Sequence, residues 1–71
     1  MHIHEAIKKA LEQKCFITRK YDGRYTHYFE PTNGASNIII HRIDDSKEPG
    51  PNWNPCADDL MSDQWELYIK E

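Results

Sequence analysis

The tetrapeptide Tyr21-Asp22-Gly23-Arg24 constrains the chain more than any other feature. On its N-terminal side stand β-favouring residues, Phe16, Ile17 and Thr18, and on its C-terminal side runs the aromatic and β-branched stretch Tyr25 to Glu30. Asp-Gly between two such runs marks a tight turn, because glycine accepts the positive φ that the turn demands. A β-hairpin is therefore expected near the middle of the molecule. A second punctuation, Pro31 to Ser36 with Asn33-Gly34, precedes Asn37-Ile38-Ile39-Ile40-His41-Arg42-Ile43, so a third strand is expected to continue an antiparallel meander.

Before the hairpin the periodicity is helical. Ile3, Ile7, Ala10 and Leu11 fall on one face and Glu5, Lys8, Lys9 and Glu12 on the other, with no Ser, Thr, Asp or Asn ahead of them as an N-cap. Lys14 is expected to close this helix from its last turn, where a cation suits the dipole. Residues 44 to 55 hold Pro49, Gly50, Pro51 and Pro55 among polar residues and read as a long loop, and Asp58 to Asp63 reads as one or two helical turns. Trp65, Leu67 and Ile69 alternate with Glu66, Tyr68 and Lys70 in a last strand with one buried face. The expected class is α+β: an N-terminal amphipathic helix packed on a small antiparallel sheet of about four strands, with a long loop and a short helical turn before the last strand.

With 71 residues, 1 to 71 form a single domain, and a chain of this size buries only about 60% of the surface its unfolded form exposes. Self-association as a homodimer or homotetramer is the expected source of further burial. The two cysteines, Cys15 and Cys56, are too few for a disulfide framework, and no apolar run reaches the length of a signal peptide or a membrane span. A cytoplasmic protein without membrane contact is expected. The net charge of -3 is uneven: +3 over residues 1 to 24, 0 over 25 to 43 and -6 over 44 to 71. That balance excludes an ordinary duplex nucleic-acid binder, yet leaves Arg19, Lys20 and Arg24 for a small phosphate ligand.

Catalytic residues do not stand out. His2, His4, His27 and His41 lack the spacing of a metal site, so neither a metal nor a cofactor is expected. Cys15 reads as a core residue, and Cys56 lies near acids that would raise its thiol pKa. Asp58, Asp59 and Asp63 read as helix capping and solvation before they read as acid-base groups. The aromatics beside loops carry more information: Tyr21, Tyr25 and Trp53 could stack on a purine, Arg19 and Arg24 could meet phosphates, and Asn54 or Asp59 could bond a ribose or a base edge. Trp53 reads equally as a clamp holding the loop on the core, whereas Trp65 reads as core.

Taken in order, these motifs resemble the Thoeris anti-defence protein 2 family of small phage and prophage proteins. The resemblance rests on Glu5-Ala6-Ile7 with Ala10-Leu11, on Ile17-Thr18-Arg19 leading to an aromatic and a turn glycine, and on Trp53-x-Pro55, Asp59-Leu60-Met61 and Asp63-x-Trp65-Glu66. It implies a binder rather than an enzyme: a sponge that sequesters a cyclic nucleotide immune signal of the cyclic ADP-ribose isomer type, or a cyclic oligonucleotide, without degrading it. It also implies homo-oligomers with pockets between protomers, and a host-cell cytoplasmic location. By position it carries the ligand role to Tyr21, Asp22, Gly23, Trp53, Pro55 and Asp59. The chain departs from the family at Tyr21, usually Trp, at Asp22, commonly Asn, and at Cys56, often Ser. Tyrosine stacks over less area, and an aspartate repels a pyrophosphate unless it faces a ribose hydroxyl, so the preferred cyclic nucleotide stays open. Two other readings stand beside the sponge. One is a small metal-dependent hydrolase of nucleotide signals built on Asp58, Asp59 and a histidine. The other is a protein-protein inhibitor or structural subunit whose acidic C-terminal half meets a basic partner.

Overall fold

The computed structural model describes residues 1–32, 38–43 and 52–69. Helix α1 spans Ile3–Gln13, and strands β1 (Phe16–Thr18), β2 (His27–Pro31) and β3 (Ile38–Arg42) follow. A short helix α2 (Ala57–Met61) precedes strand β4 (Glu66–Tyr68). The four strands form one antiparallel sheet in the order β3-β2-β1-β4, so the meander is extended by the last strand pairing along the free edge of β1. The α+β architecture expected from the periodicities is the one observed, with a helix, four antiparallel strands and a short helix before the last strand. Among the described residues no helix is long and apolar enough to cross a membrane.

Helix α1 starts without a hydroxyl or carboxylate N-cap. Instead the His2 N–H donates to Glu5 Oε1 at 3.4 Å, the backward half of a capping box. Lys14 does not lie in the last turn as expected. It sits just beyond the helix with φ 57, in the left-handed conformation, and the Cys15 N–H donates to the Ala10 carbonyl at 3.0 Å. The stop is thus made by the Lys14 backbone rather than by its charge.

Ala6 and Ala10 are fully buried on α1, and their small side chains let the helix backbone come close to the sheet. There they meet Ile17 of β1, Phe29 of β2 and Trp65, which together form the core, with Ile3, Ile7, Cys15, Ile38, Ile40, Trp53 and Leu67 packed around it. Ile17 faces Phe29 across β1 and β2, Phe29 faces Ile40 across β2 and β3, and Ile17 faces Leu67 across β1 and β4, so one row of side chains crosses the whole sheet beneath the helix. The opposite face carries a second, aromatic row. Tyr28 stacks on His41 at 4.8 Å and on Tyr68 at 4.9 Å between ring centroids, Phe16 meets Tyr28 edge-on at 4.9 Å, and Tyr28 itself is only 2% exposed.

Three expectations are corrected at the level of strands. Tyr25 and Thr26 lie outside β2, which begins at His27. Ile69 is 73% exposed, because the strand ends at Tyr68 and the alternation that would have buried it ends there too. Pro31, read as part of the turn, closes β2 opposite Ile38, a strand end being the place where a missing N–H costs least. The turn at 33–36 and the loop section 44–51 lie outside the described residues. The end of that loop is anchored: Asn52 bridges Ile39, and the Trp53 N–H donates to the Ile38 carbonyl at 2.7 Å, covering part of the β3 edge.

Candidate functional site

The hairpin turn is built as the Asp-Gly pair demands. Asp22 (φ 51) and Gly23 (φ 78) are both in the left-handed region, the sign pattern of a type I′ turn, and Tyr21 and Arg24 exchange backbone hydrogen bonds of 2.8 and 3.0 Å. From this bridge to the Ile17–Phe29 pair the two arms differ in length: Ile17 precedes Tyr21 by four residues, and Phe29 follows Arg24 by five. The second arm therefore holds one extra residue, the count of a β-bulge. Tyr25 and Thr26, which lie ahead of β2, line one cavity of about 450 Å³ together with His27.

Asp59, near the start of α2, organises the site. Its Oδ1 accepts the Tyr21 hydroxyl at 2.7 Å and lies 3.3 Å from the Arg19 guanidinium. Its Oδ2 accepts the Cys56 N–H at 2.9 Å and the Cys56 thiol at 3.2 Å, and its carbonyl accepts the indole N–H of the core residue Trp65 at 2.8 Å. One buried residue thus ties α2 to the end of β1, to the hairpin and to the core. Burial by itself would push the Asp59 carboxyl up. The Cys56 N–H, the Tyr21 hydroxyl, the Cys56 thiol and the Arg19 charge outweigh it and hold the group below the usual carboxylate range. Tyr21 moves the other way: burial, with help from the neighbouring carboxylate, pushes its hydroxyl up to about 12. Arg19 lies over the Tyr21 ring, 4.5 Å from its centroid, and its buried Nε has no hydrogen-bond partner among the described residues.

Tyr21, Trp53 and Asp59, three of the residues singled out from the sequence, come together on one cavity of about 350 Å³, with Thr26, His27, Phe29 and Ile40 completing its lining. Trp53 packs on Phe29 at 4.4 Å and Trp65 at 5.6 Å, and it presents a wall to the cavity. Arg19 lines a different cavity of about 390 Å³ with Lys20, Tyr25, Gln64 and Glu66. There the Tyr25 hydroxyl donates to Glu66, and Lys20 lies 5.4 Å from the Tyr25 ring centroid. Asp22, Gly23 and Arg24 are exposed at the tip of the turn, and Asn54 and Pro55 are exposed between Trp53 and α2.

His27, Thr26 and Ile40 were not singled out from the sequence. No local pattern marks them, since their place at the cavity follows from strand register and from the extra residue in the hairpin arm. Asp59 was expected to offer its carboxylate to a ligand. With both oxygens engaged by protein donors, it acts on the cavity chiefly by fixing Tyr21. Among the described residues no group of three or more His, Cys, Asp or Glu side chains is placed to hold a metal ion. No protein-family model, no curated protein and no solved structure matches the chain.

Proposed function

We propose that the protein binds and sequesters a small cyclic nucleotide signal, of the cyclic ADP-ribose isomer or cyclic oligonucleotide kind, and releases it unchanged. The observation that carries this reading is the cavity walled by Tyr21, Phe29 and Trp53, with Thr26, His27 and Asp59 as polar groups on its border. Its volume of about 350 Å³ falls at the lower end of the range for small-molecule sites, roughly 300–1,000 Å³, and flat aromatic walls suit a purine. The Tyr21 ring is held by its hydroxyl to Asp59 and by Arg19 across its face, so little ordering remains to be done on binding. The binding reading is favoured over hydrolysis by the engagement of Asp59, whose oxygens already accept from Tyr21 and Cys56 and would have to exchange those donors for a metal.

Self-association, as a homodimer or homotetramer in the host cytoplasm, belongs to the same proposal. It is supported by the small core, which leaves a chain of this size short of buried apolar surface. The test is to incubate purified protein with cyclic ADP-ribose isomers and cyclic oligonucleotides, remove unbound material, release the ligand by heat and identify it by mass spectrometry. Recovery of the intact compound supports sequestration. A cleaved product turns the reading into a hydrolase, and retention of none of them, with a host protein captured instead, turns it into an inhibitor.

A further inference from the structure

The two edges of the sheet are finished differently. The β3 edge is covered by its own chain, through the Asn52 bridge to Ile39 and the Trp53 N–H on the Ile38 carbonyl. On the β4 edge only the entry is occupied. Trp65, just ahead of β4, donates its N–H to the Met1 carbonyl at 3.0 Å and accepts the Met1 ammonium on its own carbonyl at 3.1 Å. Both backbone groups of Trp65 thus point away from β1. Along an extended strand such groups alternate in direction, so Leu67 and Ile69 also turn theirs outward while Glu66 and Tyr68 turn theirs toward β1. Trp65 and Leu67 share the core side of the chain, as this alternation requires. Among the described residues no strand lies beyond β4. Beside that open edge stands Ile69, a large apolar side chain that is 73% exposed.

We infer that the β4 edge pairs antiparallel with the same edge of a second copy, Leu67 opposite Ile69 of that copy, about a two-fold axis at Tyr68. This rests on the self-association proposed above and names the surface that carries it. The register is self-complementary, because it matches every outward group of Leu67 and Ile69 in both copies. Pairing Leu67 with itself instead brings Ile69 against Trp65, whose groups Met1 already holds. The charges agree with the same register: in the sequence Glu66 and Lys70 flank Tyr68 at equal distance, so each falls opposite the other across the axis. Ile69 is then laid beside Leu67 of the second copy, and the two sheets run on as one with both α1 helices on the same face.

Sedimentation equilibrium and amide hydrogen exchange test this on the native chain, on Ile69→Pro, Ile69→Ala and Lys70→Glu, and on Glu66→Lys combined with Lys70→Glu. Residue 69 lies beyond the β1–β4 ladder, and a proline there favours the extended conformation that Tyr68 already has, so the fold is kept. Ile69→Pro removes the outward donor and should raise the dissociation constant of the pair at least about tenfold, with a smaller rise for Ile69→Ala, which keeps its N–H. Lys70→Glu sets like charges opposite each other and weakens the pair, and adding Glu66→Lys restores part of the affinity. The amides of residues 67 and 69 should exchange more slowly as protein concentration rises, while that of residue 68, turned to β1, does not change. If the native chain associates but neither Ile69→Pro nor Lys70→Glu alters the constant and residues 67 and 69 exchange alike at all concentrations, the edge pairing is overturned and self-association runs through another face. If the native chain stays monomeric at every concentration, edge pairing and self-association fall together, and the ligand-binding reading is untouched.

Discussion

Asp59 shows how much one carboxylate can organise in a small protein. Replacing it by Ala or Asn leaves the half-buried Arg19 guanidinium without its counter-charge and frees the Tyr21 hydroxyl and the Cys56 N–H together. A loss of about 2–4 kcal/mol is expected, read as a lower denaturant midpoint. The acid behaviour follows from the lowered carboxyl. As pH falls, the unfolded chain takes up the Asp59 proton first, so the contribution is complete above an unfolded pKa of about 4 and is lost as pH drops through the folded value below it. Asp59→Asn should flatten that acid limb. Tyr21 gives the opposite sign, because its folded value of about 12 lies above an unfolded value of roughly 10. Its contribution is present below pH about 10 and fades between there and 12. An ultraviolet titration of phenolate formation should show a late step that Tyr21→Phe removes. Asp59 was visible in the sequence as an acid in the first turn of a short helix. That it would be buried against an arginine and a tyrosine was not visible, because those partners come from a different part of the chain.

At the scale of elements, the Asp22-Gly23 turn and the period of α1 were legible because both are local: a backbone conformation and a repeat of apolar residues. Gly23 has no neighbour within 4 Å of where a Cβ would stand, so Gly23→Ala meets no steric clash and costs only the left-handed conformation, about 1 kcal/mol, measured as a shift of the thermal midpoint. The two tryptophans divide more sharply. Trp65 is buried beneath α1 and its indole N–H holds the Asp59 carbonyl, so Trp65→Ala should cost about 3–5 kcal/mol and carry the site down with the fold. Trp53 is half-buried on Phe29 and Trp65, so Trp53→Ala should cost less than Trp65→Ala in stability while removing ligand retention. Equal damage from both would abolish the distinction between wall and core. The bulged arm was beyond sequence reading. Residues 25 to 30 look like one uninterrupted strand, and only the pairing of Ile17 with Phe29 reveals the extra residue that brings Thr26 and His27 to the cavity.

The whole molecule closes its sheet by pairing β4 with β1, Phe16 opposite Tyr68 and Thr18 opposite Glu66, so its first and last strands are neighbours. Its second face keeps an aromatic row centred on Tyr28, and Tyr68→Glu placed in that row should reduce the native mass to that of one 8.4 kDa chain if copies meet there. An unchanged mass would move the interface elsewhere. That face could be foreseen only as alternation, since the stack of Tyr28 between His41 and Tyr68 depends on strand order and not on spacing. The adjacency of β1 and β4 also sets the order of assembly. Helix α1 can form from local turns, but its core partner Trp65 and the strand that completes the sheet come at the far end of the chain. Closing so long a loop is entropically costly until those contacts repay it, which slows folding relative to a protein built of local pairs. A ribosome must deliver the residues through Tyr68 before the core can close. Asp59, hung on the Trp65 indole, then gains its place in the same event, so binding competence and cooperative folding should arrive with a single rate constant.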